Sequence, residues 1–144
     1  MKQLAVLLLS FLSFTQVIKA EEYIIKSQDL PKAAIEFLDT HYTDNKISFA
    51  KMDKEILQTT YKVTLVNGVQ IEFNKKGAWI SVDAGVDGIV PKTIIPKRIL
   101  VFVSQNYADF QICEIEYESR EYSVELSNGL DLEFNKKGEI KNHK

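Results

Sequence analysis

Tyr61-Lys-Val-Thr-Leu-Val-Asn-Gly-Val-Gln-Ile-Glu-Phe-Asn-Lys-Lys-Gly77 returns later in the chain as Tyr122-Ser-Val-Glu-Leu-Ser-Asn-Gly-Leu-Asp-Leu-Glu-Phe-Asn-Lys-Lys-Gly138. The two stretches agree at 11 of 17 positions, against about one by chance, so a duplication governs the reading of the whole chain. Tyr61, Val63 and Leu65 alternate with polar residues, as do Tyr122, Val124 and Leu126, which is the period of a half-buried strand. Asn67-Gly68 and Asn128-Gly129 follow, the pair that accepts positive φ in a two-residue type I′ hairpin turn. The next strand puts Val69, Ile71 and Phe73, or Leu130, Leu132 and Phe134, on one face and polar residues on the other.

Outward from this hairpin the match continues. Leu30-Pro31, Phe37, Tyr42 and Ile47 reappear as Ile95-Pro96, Phe102, Tyr107 and Ile112, all 65 residues on rather than 61, so the second copy is shorter by four residues around Ser119-Arg120. Leu30, Ala34, Phe37, Leu38 and Tyr42 recur at helical steps behind Pro31, whose fixed φ suits a first turn, with Asp29 or Ser27 as the cap. Pro96, Ile99, Leu100, Val103 and Tyr107 repeat that helix. Ala50 with Met52, and Ile115 with Tyr117, mark a strand after each helix. Lys75-Lys76-Gly77 turns the first copy into a fourth strand at Ala78–Val82, whereas the second copy ends soon after Ile140. The connection from Asp83 to Ile95 holds Gly85, Gly88 and Pro91 and reads as a loop. The expectation is an α+β fold: two tandem helix-plus-antiparallel-sheet repeats, at 21–84 and 95–144 with a loop at 85–94, their sheets joined side by side and both helices on one face.

Residues 1–20 read as a secretory signal peptide. Met1-Lys2 starts positive, Leu4–Phe14 is apolar apart from Ser10 and Ser13, and Ile18-Lys19-Ala20 ends the segment before Glu21-Glu22. Such a run is too short to cross a hydrocarbon core that needs about 20 residues, so no membrane anchor is expected after cleavage. Removing it deletes Lys2 and Lys19 but no acid, leaving 16 bases against 20 acids, a charge of −4. That sign disfavours nucleic acid and anionic membrane as partners. The composition, 45% hydrophobic and 26% charged, suits a chain that folds without disulfide or metal, and the single Cys113 reads as a small buried hydrophobe.

No Gly-x-Ser-x-Gly elbow, phosphate loop, His-Glu-x-x-His or Cys-x-x-Cys occurs. His41 and His143 stand apart, and the counterpart of His41 in the second copy is Asn106, so His41 reads as a helix-end cation rather than a catalytic base. Glu72 and Glu133 are the acid pair with a chance of meeting across the repeat junction, but glycosidase-like work also needs a cleft and a desolvated carboxyl. Asp83-Ala-Gly85-Val-Asp87-Gly88 places oxygen ligands at the first and fifth positions and glycine at the sixth of a calcium loop, so Asp83 and Asp87 are the metal candidates. An antiparallel sheet can cover one face and leave the other wet. Here the wet face carries Lys62, Thr64, Gln70, Glu72, Ser123, Glu125, Asp131 and Glu133, the candidate partner-binding residues.

The repeated Leu/Ile-Pro…Tyr…Ile and Tyr-x-Val-x-Leu-x-Asn-Gly-x-x-x-x-Phe-x-x-x-Gly, with Trp79 and Val90-Pro91-x-x-Ile94-Ile95-Pro96 between the copies, resembles the PepSY-like, beta-lactamase-inhibitor-like periplasmic proteins of Gram-negative bacteria. The resemblance covers the chain beyond the leader. It implies a periplasmic protein without enzymatic activity and a fold similar to the beta-lactamase inhibitory protein, whose concave sheet face grips an enzyme. The expected function is therefore a module that binds or inhibits a secreted or periplasmic protein through the polar sheet face, with a calcium or small-ligand sensor or carrier as the alternative.

Overall fold

The computed structural model describes residues 21–143, so the expected signal peptide lies outside the described residues. Among the described residues, nine strands form one antiparallel sheet in chain order: β1 Glu21–Ile25, β2 Ile47–Lys54, β3 Thr59–Leu65, β4 Gln70–Asn74, β5 Trp79–Asp83, β6 Ile112–Glu118, β7 Glu121–Leu126, β8 Asp131–Asn135 and β9 Ile140–His143. Helix α1, Lys32–His41, connects β1 to β2, and helix α2, Lys97–Asn106, connects β5 to β6. The fold is α+β.

Cross-strand register shows which face is covered. Ile71, Val82, Ile115, Val124 and Leu132 pair in succession from β4 to β8, and all five are fully buried. Two residues along the same strands, Phe73 and Phe134 each meet a helix ring edge-on, Phe37 of α1 and Phe102 of α2, at 5.5 Å between centroids. Because residues two apart share a strand face, both helices lie on the same side of the sheet. Gly77, at φ +84°, lets the β4–β5 turn reach the start of α1, where a Cβ would stand 2.8 Å from Pro31 Cβ. Gly138, at φ +75°, does the same for α2, where a Cβ would lie 3.1 Å from Arg98 Cβ.

Several details depart from the sequence expectation. Neither Ser27 nor Asp29 caps α1; both lie in a short 3-10 turn, Ser27–Asp29, and Pro31 occupies the cap position. The Asn-Gly hairpins are not type I′. Only Gly68 and Gly129 have positive φ there, and Leu65 N donates to Val69 O while Gly68 N donates to Leu65 O, which is a three-residue loop with glycine in the left-handed position. Asn67 serves by accepting from Val69 N on its side chain at 3.2 Å. Positive φ at both central residues is found instead at Ser119 and Arg120, +51° and +66°, between β6 and β7. No alternation in the sequence marks Glu21–Ile25, which nevertheless forms strand β1. β9 extends through His143, and Asp83 closes β5 rather than opening the loop.

Candidate functional site

The face away from the helices is built by the residues that alternate with the core. Lys62, Glu72, Ser81, Glu116, Ser123 and Glu133 pair in succession across β3 to β8. A second row, two residues along each strand, runs Thr64, Gln70, Asp83, Glu114, Glu125 and Asp131. All eight polar-face residues named from the sequence therefore stand on one face, in two adjacent rows.

Glu72 and Glu133 share a row but do not meet. Three strands intervene, which at about 4.8 Å per strand sets them roughly 19 Å apart. Glu72 instead holds Lys62 at 2.9 Å, with both side chains more than a third exposed; the hydrogen bond from Lys62 to Glu72 raises the ammonium pKa.

Ser81, Glu114 and Glu116 were missed by the sequence reading, and with them the character of the site. The alternation of Ile115 and Tyr117 marks β6 as a strand, and the same period-2 pattern puts Glu114 and Glu116 on the opposite face. Asp83, Glu114, Glu125 and Asp131 thus occupy four consecutive strands in one row, with Glu116 and Glu133 beside them. Like charges directly opposite repel. Burial pushes the Glu114 carboxyl up to about 7, helped by the charges of Asp83, Glu116 and Glu125. A shallow depression of about 120 Å³ opens on this face, with Thr60, Glu72, Ser81 and Glu116 among its walls.

Of the metal candidates, Asp83 belongs to that second row and Asp87 lies beyond it. Asp83 turns one carboxylate oxygen to accept from Gly85 N at 2.8 Å, and Asp87 lies exposed in the following turn. Among the described residues, no group of three or more His, Cys, Asp or Glu is arranged to hold a metal ion. His41 packs against Phe37, ring centroids 4.6 Å apart and planes tilted by 52°, and shares a 2.8 Å hydrogen bond between its Nδ1 and Thr93 Oγ1, tying α1 to the connection that leads to α2. Burial lowers its pKa. Cys113 is buried at a bulge in β6, where its thiol donates to Glu125 O at 3.4 Å and burial raises its pKa. What the open face offers chemically is a broad field of carboxylates at adjacent strands, suited to basic surfaces and cations.

No curated protein matches the chain. Its fold is similar to the crystal structure of a "putative calcium-regulated periplasmic protein" from Bacteroides thetaiotaomicron, with 35% identity, 85% of this chain and 96% of that one covered, and a TM-score of 0.82. Two proteins from Bacteroides vulgatus, each described as a "putative periplasmic protein", are also similar. One, of the DUF2874 family, is 33% identical over 86% of this chain and 97% of that one, at a TM-score of 0.81. The other is 30% identical over 86% and 99%, also at 0.81. No helix among the described residues is long and apolar enough to cross a membrane. The model of the family described as "Putative beta-lactamase-inhibitor-like, PepSY-like" matches residues 59–142, and on that match and these relatives the chain belongs to this family of periplasmic proteins.

Proposed function

We propose that the chain is a non-enzymatic module, built of two helix-plus-sheet copies at 21–84 and 95–144, that binds or inhibits a secreted or periplasmic protein on the polar face of its sheet. One observation carries the reading: both helices cover the same face, so two rows of polar side chains stay open across six consecutive strands. The duplication is supported by bulges that recur at equivalent places, between Ile47 and Phe49 and between Ile112 and Glu114, and again one per copy after the glycine turns. Lys62, Thr64, Gln70, Glu72, Ser123, Glu125, Asp131 and Glu133 are the contact residues, joined by Glu114 and Glu116. Their charge favours a basic surface on the partner, and association should slow as salt rises.

The test is to cross-link the tagged protein in native envelopes and compare Glu125→Lys/Glu133→Lys with Lys32→Glu, which lies on α1. Loss of the same cross-linked species in the sheet-face variant alone supports the reading. An identical set of species from all three proteins rejects that face.

Calcium is the second reading, favoured by the crowding around Glu114 and by a relative described as calcium-regulated. Asp83 and Asp87 are the ligand candidates, with Glu114 beside Asp83 in the row. Calcium bound beside Glu114 would drive off its proton, so titration at pH 7 should release protons along with heat. Absence of heat at millimolar calcium removes this reading.

A further inference from the structure

On the helix side, and independent of the sheet face, lies a groove of about 450 Å³ between α2, the 84–96 connection and the Tyr107–Ile112 turn. Its size falls within the range of about 300–1,000 Å³ that small-molecule sites occupy. Val90, Ile95, Val103 and Ile112 are buried among its lining residues. Ile89, Val101 and Phe110 also line it yet stay 58%, 44% and 37% exposed, and clustered exposed apolar side chains mark binding sites more often than chance. Its charged lining residues are Lys92 and Lys97 alone, and neither pairs with an acid among the described residues. In a chain whose net charge is negative, an apolar groove lined by two unpaired cations and no carboxylate is selective in sign.

The duplication supplies an internal comparison. Ile25 pairs with Ala50 as Val82 pairs with Ile115, so β5 stands to the second copy as β1 stands to the first. Six positions lead from Ile25 to Pro31, but fourteen lead from Val82 to Pro96. The longer connection contributes Ile89, Val90 and Lys92 to the groove, anchored where Val90 N donates to Ile112 O and Ala84 N to Cys113 O. Val101 and Ser104 of α2 stand where α1 carries Glu36 and Asp39. The scaffold accommodates carboxylates at those positions, and the second copy has none.

We infer that this groove binds a monomeric anionic amphiphile, an unbranched apolar chain ending in a carboxylate, with the chain against Leu100, Val101 and Phe110 and the carboxylate between Lys92 and Lys97. The purified protein, titrated by calorimetry with dodecanoate below its micelle concentration, should bind one equivalent, and each methylene added from decanoate onward should tighten binding about twofold to fourfold. Dodecyltrimethylammonium, with the same chain and opposite charge, should bind at least tenfold more weakly. Lys92→Glu/Lys97→Glu should weaken dodecanoate at least tenfold, and Val101→Glu should abolish it; all three residues are exposed, so the variants should fold, as circular dichroism would show. No binding at millimolar dodecanoate, equal affinity for the cationic amphiphile, or full affinity in Val101→Glu would each overturn the assignment. The sheet-face variants should bind dodecanoate like the parent protein, which separates failure here from failure of the docking face.

Discussion

Glu114 shows how much one side chain depends on neighbours that are remote in sequence. Its carboxyl is raised to about 7 by burial first and by Asp83, Glu116 and Glu125 after it. The folded protein therefore holds a proton that the unfolded chain has lost between the ordinary carboxylate range and pH 7. Over that window stability falls as pH rises, and above pH 7 the penalty is complete. Glu114→Gln removes the charge while keeping the shape. It should leave the melting temperature unchanged near pH 4 and raise stability at pH 8 by about 1 kcal/mol, a figure discounted because solvent still reaches and screens this partly buried group. Thermal melts of both proteins at the two pH values decide it, and an equal effect at pH 4 would refute the charge explanation. The carboxylate itself was legible as a polar-face position. Its crowding was not, because Asp83 reaches it across a helical connection of almost thirty residues, and that register is fixed by how the helix packs.

At the scale of elements, the strands with a covered face were legible and the edges were not. β3, β4, β7 and β8 alternate cleanly because one side of each meets a helix. β1 was unreadable: it is an edge strand with four of its five residues exposed, so no core imposes a period on Glu21–Ile25. Turn chemistry misled in the other direction. Asn67-Gly68 carries the type I′ signal, yet Val66 joins the loop and only the glycine takes positive φ, while Ser119 and Arg120 adopt positive φ without a glycine. The β6–β7 hairpin is four residues shorter than its counterpart, which leaves a two-residue turn whatever residues occupy it. Left-handed backbone costs a residue with a side chain roughly 1–2 kcal/mol. Ser119→Asn/Arg120→Gly should therefore stabilise the protein by about 1 kcal/mol in urea unfolding, since Asn and Gly suit a type I′ turn. No gain, or a loss, would show that the strands relieve the turn of its strain.

Across the whole molecule, the two halves meet through three register pairs, Ser81–Glu116, Val82–Ile115 and Asp83–Glu114. So narrow a joint raises the question whether the halves melt apart. Packing on the helix side argues that they do not. Val82 and Ile115 are fully buried at the joint, and one core cluster runs from Leu30 of the first half to Phe134 of the second. Trp79, the single tryptophan, lies 6.4 Å from Phe37 of α1 on one side and 6.3 Å from Tyr117 of β6 on the other, while His41 holds the connection through Thr93. Separating the halves would expose that continuous apolar layer, at about 25 cal/mol for each Å², with no gain until the rest of each half also unfolds. The protein should then unfold as a single cooperative unit. Tryptophan fluorescence reports the joint and far-ultraviolet circular dichroism reports the sheet and helices, so their urea transitions should coincide. Val82→Ala, which opens a cavity at the joint, should shift both transitions together to lower urea; a fluorescence change that precedes the loss of ellipticity would mean that the joint opens first and that each half stands by itself.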